Sequence, residues 1–572
     1  MQRLFFFPLL VVFFLTSTNP VIYSADIPPA SKIGSEGEAF RKQRQELEPE
    51  KKYLIDYEIK DLPANALEGA AFFVLEIVVD GDANIDPDLM KKILTPYENK
   101  EVKLGELKQA AENLTRAIRS KGFVTSRVFV PPQKVAEGKV HFKVVKGKIG
   151  KIEVRGNKYF KDRVVTRRLQ TKPGEILKYS KLERDLVRLN THADRKVKAI
   201  LIPGEASETS DLLLNVKDNF PVHMGYSLDN SGTKLSGRLR HGITVADTNL
   251  LGFDDILQAK FLITDGSHFV GVAADYLFPI TTKTDITFDY TFVDTRLGGD
   301  FNDLKINGKA NVWSSTVVQR LWENDAFELS AFAGFDIKEI ETTQDSASIA
   351  TDNLRILRVG PQFTERDSWG RTFFTNEFSV GIPEFLGASD KDDSNVSRKG
   401  AGGQFFRSAL DFGRLERMPY ESFMILRGSA HMTPDKLPAS EQMRAGGYDT
   451  VRGYPEGDSL GEYGFSASTE MRFPVYFIPK DLKYPHSESS VRDSIQWLGF
   501  FDMARIYAKG TPDNSPSNRT LAGVGGGIRF NLFPSSFGRN ISLRIDWGYP
   551  VGQHPQGEKV CGRMHFSLSV IF

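Results

Sequence analysis

The sequence predicts an α+β N-terminal part followed by an all-β transmembrane barrel, and three observations carry this prediction. The first is an apolar run at residues 4–15, which follows Arg3. Its 12 residues suit a signal-peptide core and are too few for a spanning helix, so residues 1–25 are expected to be an export signal. The second observation is an internal repeat at about residues 71–217, and the third is apolar–polar alternation from about Asn219 onward.

Composition excludes several classes of protein. The 74 Lys and Arg residues nearly balance the 73 Asp and Glu residues over 572 positions, so nothing indicates a nucleic-acid partner. The single cysteine, Cys561, rules out an internal disulfide and a Cys-based structural zinc site. A mean hydropathy of -0.30 argues against a polytopic helical membrane protein. It is compatible with a membrane barrel, in which every second residue faces a wet lumen.

A charged stretch follows the export signal. Residues 36–52 carry charge on every side, which indicates either a solvated linker or a helix inside a water-filled cavity. Sequence alone favours the linker, so residues 26–68 are interpreted as a polar linker with a possible pore-plugging helix.

The repeat has a period of 75 residues. The offset relates Gly81 to Gly156 and Leu107 to Leu182, and both copies read strand, helix, helix, strand, strand. A fixed period indicates one structural unit that has been duplicated. We expect two small domains, 69–147 and 148–218, each a sheet with two helices on one face. Such a sheet has an open edge to which an extended chain can add as a further strand.

Alternation with period two fills residues 219–572. Ile286, Phe288, Tyr290 and Phe292 alternate with polar residues, as does the last stretch, which ends at Phe572. Each strand then has one apolar and one polar face. In water such sheets would fold over their apolar faces as a sandwich, whereas in lipid the strands must close into a barrel because an unpaired edge there is costly. The export signal and the aromatic strand ends, such as Trp547 and Tyr549, favour lipid. At ~10 residues per strand plus loops, the segment supports about 14 to 18 strands. Phe572 is expected to end the closing strand.

Two segments carry the candidate functional residues. The first, residues 446–457, is a glycine-rich loop that contains Val451, Arg452, Gly453 and Tyr454. The second, residues 499–505, is a strand pattern in which period two sends Asp502 into the lumen, opposite in direction to Phe501. A confined carboxylate favours a cationic partner. On spacing alone, Arg452 is one option among many, and solvation of Asp502 by pore water is the stronger alternative.

These motifs resemble a known family. Val451-Arg452-Gly453-Tyr454 matches the VRGY/F motif of the sixth extracellular loop in POTRA-plus-barrel transporters, and Phe500/Phe501-Asp502 resembles their FxDxG strand motif. The chain departs from that motif by carrying Ala504 and Arg505. Residues 122–133 resemble the first POTRA domain of the two-partner secretion transporters (TpsB), the ShlB/FhaC/HecB-like haemolysin activator and haemagglutinin exporters.

The resemblance implies an architecture and a set of partners. It implies two periplasmic POTRA domains, a barrel of sixteen antiparallel strands in the bacterial outer membrane, and a loop near 446–462 folded into the lumen. Arg452 would pair with Asp502 as the tether, and residues 26–68 would hold the plugging helix. The partners would be a large TpsA-like exoprotein bound through the POTRA domains, outer-membrane lipid, and periplasmic chaperones and barrel-assembly machinery during biogenesis.

The expected function is therefore transport. The chain would bind a partner exoprotein and pass it to the cell surface without nucleotide hydrolysis and without cofactors. An outer-membrane barrel assembly or insertion factor of the same superfamily is the alternative. No HExxH, GxSxG or Walker pattern is evident, so an enzyme is not predicted.

Overall fold

The fold is described from a computed structural model, which covers most of the chain after residue 70. The described residues form two compact units, one reaching to Pro221 and including Leu251–Asp254, the other holding the rest. The predicted signal peptide and Phe572 lie outside the residues that the structure describes, and so does the polar segment apart from residues 56 and 57. The described residues are 56–57, 71–81, 85–190, 192, 194–206, 208–324, 326–483, 490–509, 518–532, 540–556 and 561–571.

The first repeat is a small α+β fold. Helix α2 (Leu104–Ser120) buries Leu107, Ala110, Ala111, Leu114 and Ile118, whose spacing places them on one helical face against the sheet. Glu106 accepts a hydrogen bond from the Lys103 N–H at 2.7 Å, which satisfies one of the free donors at the start of this helix. The other elements are β2 (Phe72–Val74), β3 (Glu76–Asp80), α1 (Pro87–Leu94), β4 (Lys100–Val102), β5 (Arg127–Phe129) and β6 (Lys139–Val145).

The first predicted strand is interrupted at Leu75 because the chain changes partner there. Strand β2 pairs with β4 in a two-stranded sheet, whereas β3 joins β6 and β5 in a three-stranded sheet of order β3-β6-β5. The Leu75 N–H donates to the Gly138 carbonyl at 2.7 Å between the two sheets.

The second repeat runs strand, helix, helix, strand, strand as predicted, whereas the first departs from that order because β4 lies between its two helices. The core of the second repeat contains Leu182, Leu186 and Leu189 from the last helix, packed on apolar residues of the strands. Burial of each such side chain stabilises the fold by roughly 1.5–3 kcal/mol. The elements are β7 (Lys148–Arg155), α3 (Asp162–Arg167), α4 (Tyr179–Asn190), β8 (Arg195–Pro203) and β9 (Thr209–Asp218).

One edge of this second sheet is covered by the chain itself. Strand β1 (Asp56–Tyr57) runs parallel to β8, with Asp56 opposite Ile200 and Tyr57 opposite Leu201. The sheet order is therefore β1-β8-β9-β7. A segment that precedes the first repeat in sequence thus pairs with the second.

Sixteen strands of the described chain form a closed antiparallel barrel, which confirms the predicted fold class. Strand β10 pairs with β27 to close it, with Gly225 opposite Ile571. The strands are β10 (Val222–Asp229), β11 (Arg240–Asp247), β12 (Ile256–Thr264), β13 (Phe269–Pro279), β14 (Thr284–Arg296), β15 (Ile306–Glu323), β16 (Phe327–Gln344), β17 (Ala347–Arg366), β18 (Gly370–Gly381), β19 (Phe405–Arg417), β20 (Phe423–Met432), β23 (Tyr463–Pro474), β24 (Ile495–Tyr507), β25 (Asn518–Leu532), β26 (Asn540–Pro550) and β27 (Arg563–Ile571).

Strand parity assigns the barrel connections to two ends. We call the end at which β10 begins the proximal end, and the opposite one the distal end. Because successive strands alternate in direction, residues 433–462 and 382–404 are distal connections, and residues 475–494 are a proximal one. Burial alternates along the strands as well: in β24, Phe500, Asp502 and Ala504 are buried, whereas Trp497 and Phe501 are 47% exposed on the outer face.

Candidate functional site

A distal connection folds into the barrel as a hairpin. Strands β21 (Met443–Ala445) and β22 (Ser459–Gly461) pair antiparallel outside the barrel sheet, and residues 446–458 form the tip. We call residues 443–461 the loop hairpin. Val451 and Tyr454 at its tip are fully buried and Arg452 is 3% exposed, which is unusual for a loop.

Arg452 binds Asp502 through two side-chain hydrogen bonds. The guanidinium Nε lies 2.7 Å from Oδ2 of Asp502, and Nη2 lies 2.9 Å from Oδ1. The Arg452 backbone N–H also donates to Oδ2 at 3.1 Å. Ser468 on the neighbouring strand β23 donates to Oδ1 at 2.7 Å. This two-pronged geometry fixes the orientation of the arginine as well as its charge.

Two further carboxylates bind the same guanidinium. Nη1 of Arg452 lies 2.6 Å from Glu470 Oε2 on β23 and 3.3 Å from Asp546 Oδ2 on β26. The Phe500 ring lies beneath the guanidinium, with its centroid 3.4 Å from Cζ, which adds a cation–π contact. The tip of the hairpin is therefore held by three strands of one wall. We call Arg452 with Asp502, Glu470 and Asp546 the tip anchor.

The wall around the tip anchor carries its own cations. Arg472 lies 2.6 Å from Glu470, and Arg529 and Arg544 lie 2.5 Å and 3.1 Å from Asp546. Glu470 and Asp546 thus have arginine partners on the wall, whereas Asp502 receives its arginine from the hairpin. Buried charges are tolerated when they are paired in this way. Arg544 also lies against the tip, with Cζ 3.7 Å from the centroid of the Tyr448 ring.

Glycines allow the tip backbone to lie directly on the wall. Gly453 has a φ of +98°, and a Cβ there would lie 3.0 Å from the carbonyl carbon of Tyr549. Gly523 and Gly548 face it from the wall, and a Cβ on Gly523 would lie 2.0 Å from the Arg452 carbonyl oxygen. Tyr454 completes the contact by donating to the Gln553 carbonyl at 2.8 Å.

The other sequence-predicted residues fall on both faces of the wall. Val451 packs in a buried cluster with Met443, Tyr454, Ala504 and other residues. Phe500 faces the lumen, and Phe501 points to the opposite side. The departures from the family motif lie here too: Ala504 is fully buried. Arg505 is on the outer face, with Cζ 5.2 Å from the Tyr507 ring.

Sequence reasoning missed most of the network around Arg452. Glu470, Arg472, Arg529, Arg544 and Asp546 were not singled out. A signal was present, since Arg544 and Asp546 are the polar members of an alternating strand and so point away from its apolar face. What the sequence lacks is the register that brings β23, β24 and β26 to the same tip.

Two further kinds of feature, a metal site and a membrane-spanning helix, were sought in the described part of the chain. No group of three or more His, Cys, Asp or Glu side chains in it is arranged to hold a metal ion. Among the described helices, none combines the length and hydrophobicity needed to cross a membrane.

Comparison with known proteins gives three family matches. Residues 208–530 match the family described as haemolysin secretion/activation protein ShlB/FhaC/HecB. Residues 72–147 match the ShlB-type POTRA domain, and residues 148–196 match POTRA, the surface antigen variable number repeat.

The individual relatives have low sequence identity to this chain but match most of its length. The heme/hemopexin transporter protein HuxB of Haemophilus influenzae (strain 86-028NP) is 22% identical over 485 residues, 82% of each chain. The solved structure of CdiB from Escherichia coli has a TM-score of 0.69 at 18% identity and covers 95% of this chain and 97% of that one, which shows a common fold. The outer membrane protein assembly factor BamA of Nitratidesulfovibrio vulgaris (strain Hildenborough) is 24% identical over 447 residues, 74% of this chain but 51% of BamA.

Proposed function

We propose, from the premise that this chain belongs to the haemolysin secretion/activation family ShlB/FhaC/HecB, that the loop hairpin and its tip anchor organise the lumen for passage of an unfolded exoprotein. The chain is an outer-membrane transporter of that family and moves a partner exoprotein from the periplasm to the cell surface. Its POTRA domains are periplasmic. The proximal end of the barrel is therefore the periplasmic end, and the distal end is the cell surface.

The observation that supports this role is the burial of the hairpin tip in a charged lumen. A passive channel has no need for a 19-residue hairpin bound by five charge-assisted contacts between Arg452 and wall carboxylates, counting the backbone N–H. Charge-assisted bonds of this kind are worth roughly 1.5–3 kcal/mol each. The tip thus stays on one wall unless those contacts are exchanged, which leaves the rest of the lumen as the path of an extended chain.

The open sheet edges of the POTRA domains can bind the exoprotein, here called the client, before it enters the barrel. An extended polypeptide can add to an unpaired edge through backbone hydrogen bonds, which depend little on its side chains. In the first repeat the three-stranded sheet ends on β3 and β5. In the second, β1 already covers the edge of β8, so a client that adds there must displace it.

The transport step requires no catalytic group in this proposal. Members of the family are transporters. We take folding of the exoprotein outside the cell as the drive, since it withdraws the chain from the lumen in one direction. The polar lumen keeps the backbone of the passing chain hydrated, which avoids the cost of unsatisfied amide groups.

The N-terminal segments and the surroundings of the barrel complete the proposal. Residues 1–25 act as the export signal, and residues 26–68 supply a helix that plugs the pore at rest. Outer-membrane lipid surrounds the apolar outer face, and periplasmic chaperones with the barrel-assembly machinery deliver the barrel. A fluorophore pair placed on residue 45 and on the lumen would report whether that segment lies inside.

Reconstituted secretion tests the function. A strain that produces a large exoprotein encoded beside this gene is compared with and without the transporter. Surface appearance of that exoprotein only with the transporter, at unchanged levels of other outer-membrane barrels, supports secretion. A general loss of other barrels on deletion would instead assign the chain to barrel assembly, the alternative that BamA represents.

A further inference from the structure

Further ion pairs hold the loop hairpin: Arg519 on β25 binds Asp458 at 2.6 Å, and Arg398 binds Glu462, which directly follows the hairpin, at 2.6 Å. The contact considered below lies at the start of the hairpin, at its base rather than its tip. Glu441 ends a short 3-10 helix (Ala439–Glu441) just before β21, and its side chain is fully buried. It lies 2.7 Å from Lys338 Nζ on β16 and 3.0 Å from Arg407 Nη1 on β19. A carboxylate buried between two cations on two different strands is a specific contact, because burial without such partners is costly. We call these three residues the base anchor.

The two anchors lie on different parts of the barrel wall. The base anchor uses β16 and β19, whereas the tip anchor uses β23, β24 and β26, which lie further around the closed sheet. Arg407 is the third residue of β19, counted from its distal end, and Asp502 lies in the middle of β24. The hairpin is therefore attached near the cell-surface end on one side and at mid-height on another.

The charges at the two ends are opposite. A carboxylate directly precedes the hairpin at its base and a guanidinium lies at its tip, and each binds wall groups of the opposite sign. A hairpin in the wrong register would bring like charges together, so the two contacts also specify its position. We propose that Glu441 is a positioning residue that fixes the base of the loop hairpin independently of Arg452, so that either end can detach while the other stays bound. This inference rests on the proposed function of the hairpin.

The wall at the base anchor tolerates loss of Glu441. Arg407 still binds Glu377 at 2.8 Å and the Ser379 hydroxyl at 3.0 Å, and Lys338 keeps Asp336 at 3.9 Å. Neither cation is left without a counter-charge when the glutamate is removed. The expected consequence of Glu441→Gln is thus a loosened segment around residue 440 in a folded barrel, while Arg398 still binds Glu462 at 2.6 Å on the other side of the base.

Cysteine accessibility separates the two ends. In a Cys561→Ser background, Ser440→Cys reports on the base and Thr450→Cys reports on the tip, each labelled on intact cells with a membrane-impermeant maleimide. Both positions are partly buried, so basal labelling is slow. Glu441→Gln is expected to raise the labelling rate at residue 440 by about tenfold or more, since it removes a buried charge pair, and to leave residue 450 unchanged. Arg452→Ala is expected to raise the labelling rate at residue 450 and to leave that at residue 440 unchanged.

Controls make the outcome specific. Asp285→Asn removes a buried carboxylate that binds Arg320 at 2.6 Å outside the hairpin, and it should change neither rate. Glu441→Asp, which keeps the charge, should restore part of the slow labelling. Lys338→Met is a second route to a weakened base anchor, in case Glu441→Gln does not reach the membrane as a folded barrel.

Several results would overturn the proposal. Unchanged labelling at residue 440 in both Glu441→Gln and Lys338→Met would do so, as would an equal rise at residues 440 and 450. Loss of heat-modifiability in both variants would assign these residues to barrel stability instead. Exoprotein export is measured separately in the same strains. If labelling at residues 440 and 450 follows the expected pattern but the exoprotein is not exported, the result would count against the transport proposal and leave the base anchor standing.

Discussion

Replacement of Arg452 by alanine is expected to detach the tip of the loop hairpin and to reduce export of the exoprotein while the barrel stays folded. The change removes the guanidinium that three strands of the wall share. Of these carboxylates, Glu470 and Asp546 keep their own arginines. Asp502 keeps the Ser468 hydroxyl. The loss therefore falls on the attachment of the tip.

The magnitude follows from the two side-chain hydrogen bonds between Arg452 and Asp502. A hydrogen bond to a charged group contributes roughly 1.5–3 kcal/mol, so two of them give a coupling energy of about 3 kcal/mol at the low end. That energy corresponds to about 150-fold in the equilibrium between bound and detached tip. Arg452→Lys should lose much of it as well, because an ammonium group cannot reproduce the two parallel bonds.

The assay is a double-mutant cycle read by accessibility. The tip reporter, Thr450→Cys in the Cys561→Ser background, is labelled in Arg452→Ala, in Asp502→Ala and in the double variant. If the two residues bind each other, the double variant should label little faster than either single one. Heat-modifiability in each strain verifies the barrel, and export is quantified alongside.

Strict additivity of the two changes would refute direct contact. A charge exchange, Arg452→Asp with Asp502→Arg, is a weaker test than the sequence alone suggests. The aspartate introduced at 452 would face Glu470 and Asp546, which lie 2.6 Å and 3.3 Å from the guanidinium it replaces. We therefore expect only slight recovery of export from the exchange, and full recovery would contradict the three-strand geometry.

Three other predictions concern separate parts of the molecule. Gly453→Ala should detach the tip as well, because the residue has a φ of +98° and a Cβ there would lie 3.0 Å from backbone atoms of the wall. Gly499→Ala is the control: a Cβ there has its nearest atom 4.0 Å away, so this variant should label like the parent at residue 450. Phe501→Arg should lower the free energy of barrel unfolding in urea by about 2–4 kcal/mol if its outward face meets lipid near the midplane; no change would place that face elsewhere. Leu107→Ala should destabilise the first repeat by about 2–5 kcal/mol through the cavity it leaves, measured on the isolated domain if that domain folds, and heat-modifiability of the barrel should persist.

Much of the architecture could be predicted from pattern alone. Period-two alternation identified strands with one apolar and one polar face, the export signal and aromatic strand ends favoured a membrane barrel over a sandwich, and the 75-residue offset identified the repeat. The spacing also put Asp502 on the inner face. Alternation could not choose a partner for it, since it gives the face of a residue and not the register between strands. The pairing with Arg452 came from the resemblance of the loop motif.

The remaining network depended on three-dimensional placement. Glu441 lies in a stretch with no distinctive motif, and its partners Lys338 and Arg407 are 103 and 34 residues away in sequence. The break at Leu75 was hidden for a similar reason: the apolar run is continuous in sequence, and only the exchange of pairing partners divides it. Local pattern carries no information about either event.

The presence of both carboxylates and guanidiniums on the wall beneath the hairpin tip affects which clients can pass. With Arg452 withdrawn, three carboxylates (Asp502, Glu470 and Asp546) remain beside three guanidiniums (Arg472, Arg529 and Arg544). Charges of opposite sign that lie this close together offset one another at a distance, so neither acidic nor basic stretches of a moving polypeptide are strongly held there. On this patch of wall, the passing exoprotein would therefore not be selected by its charge.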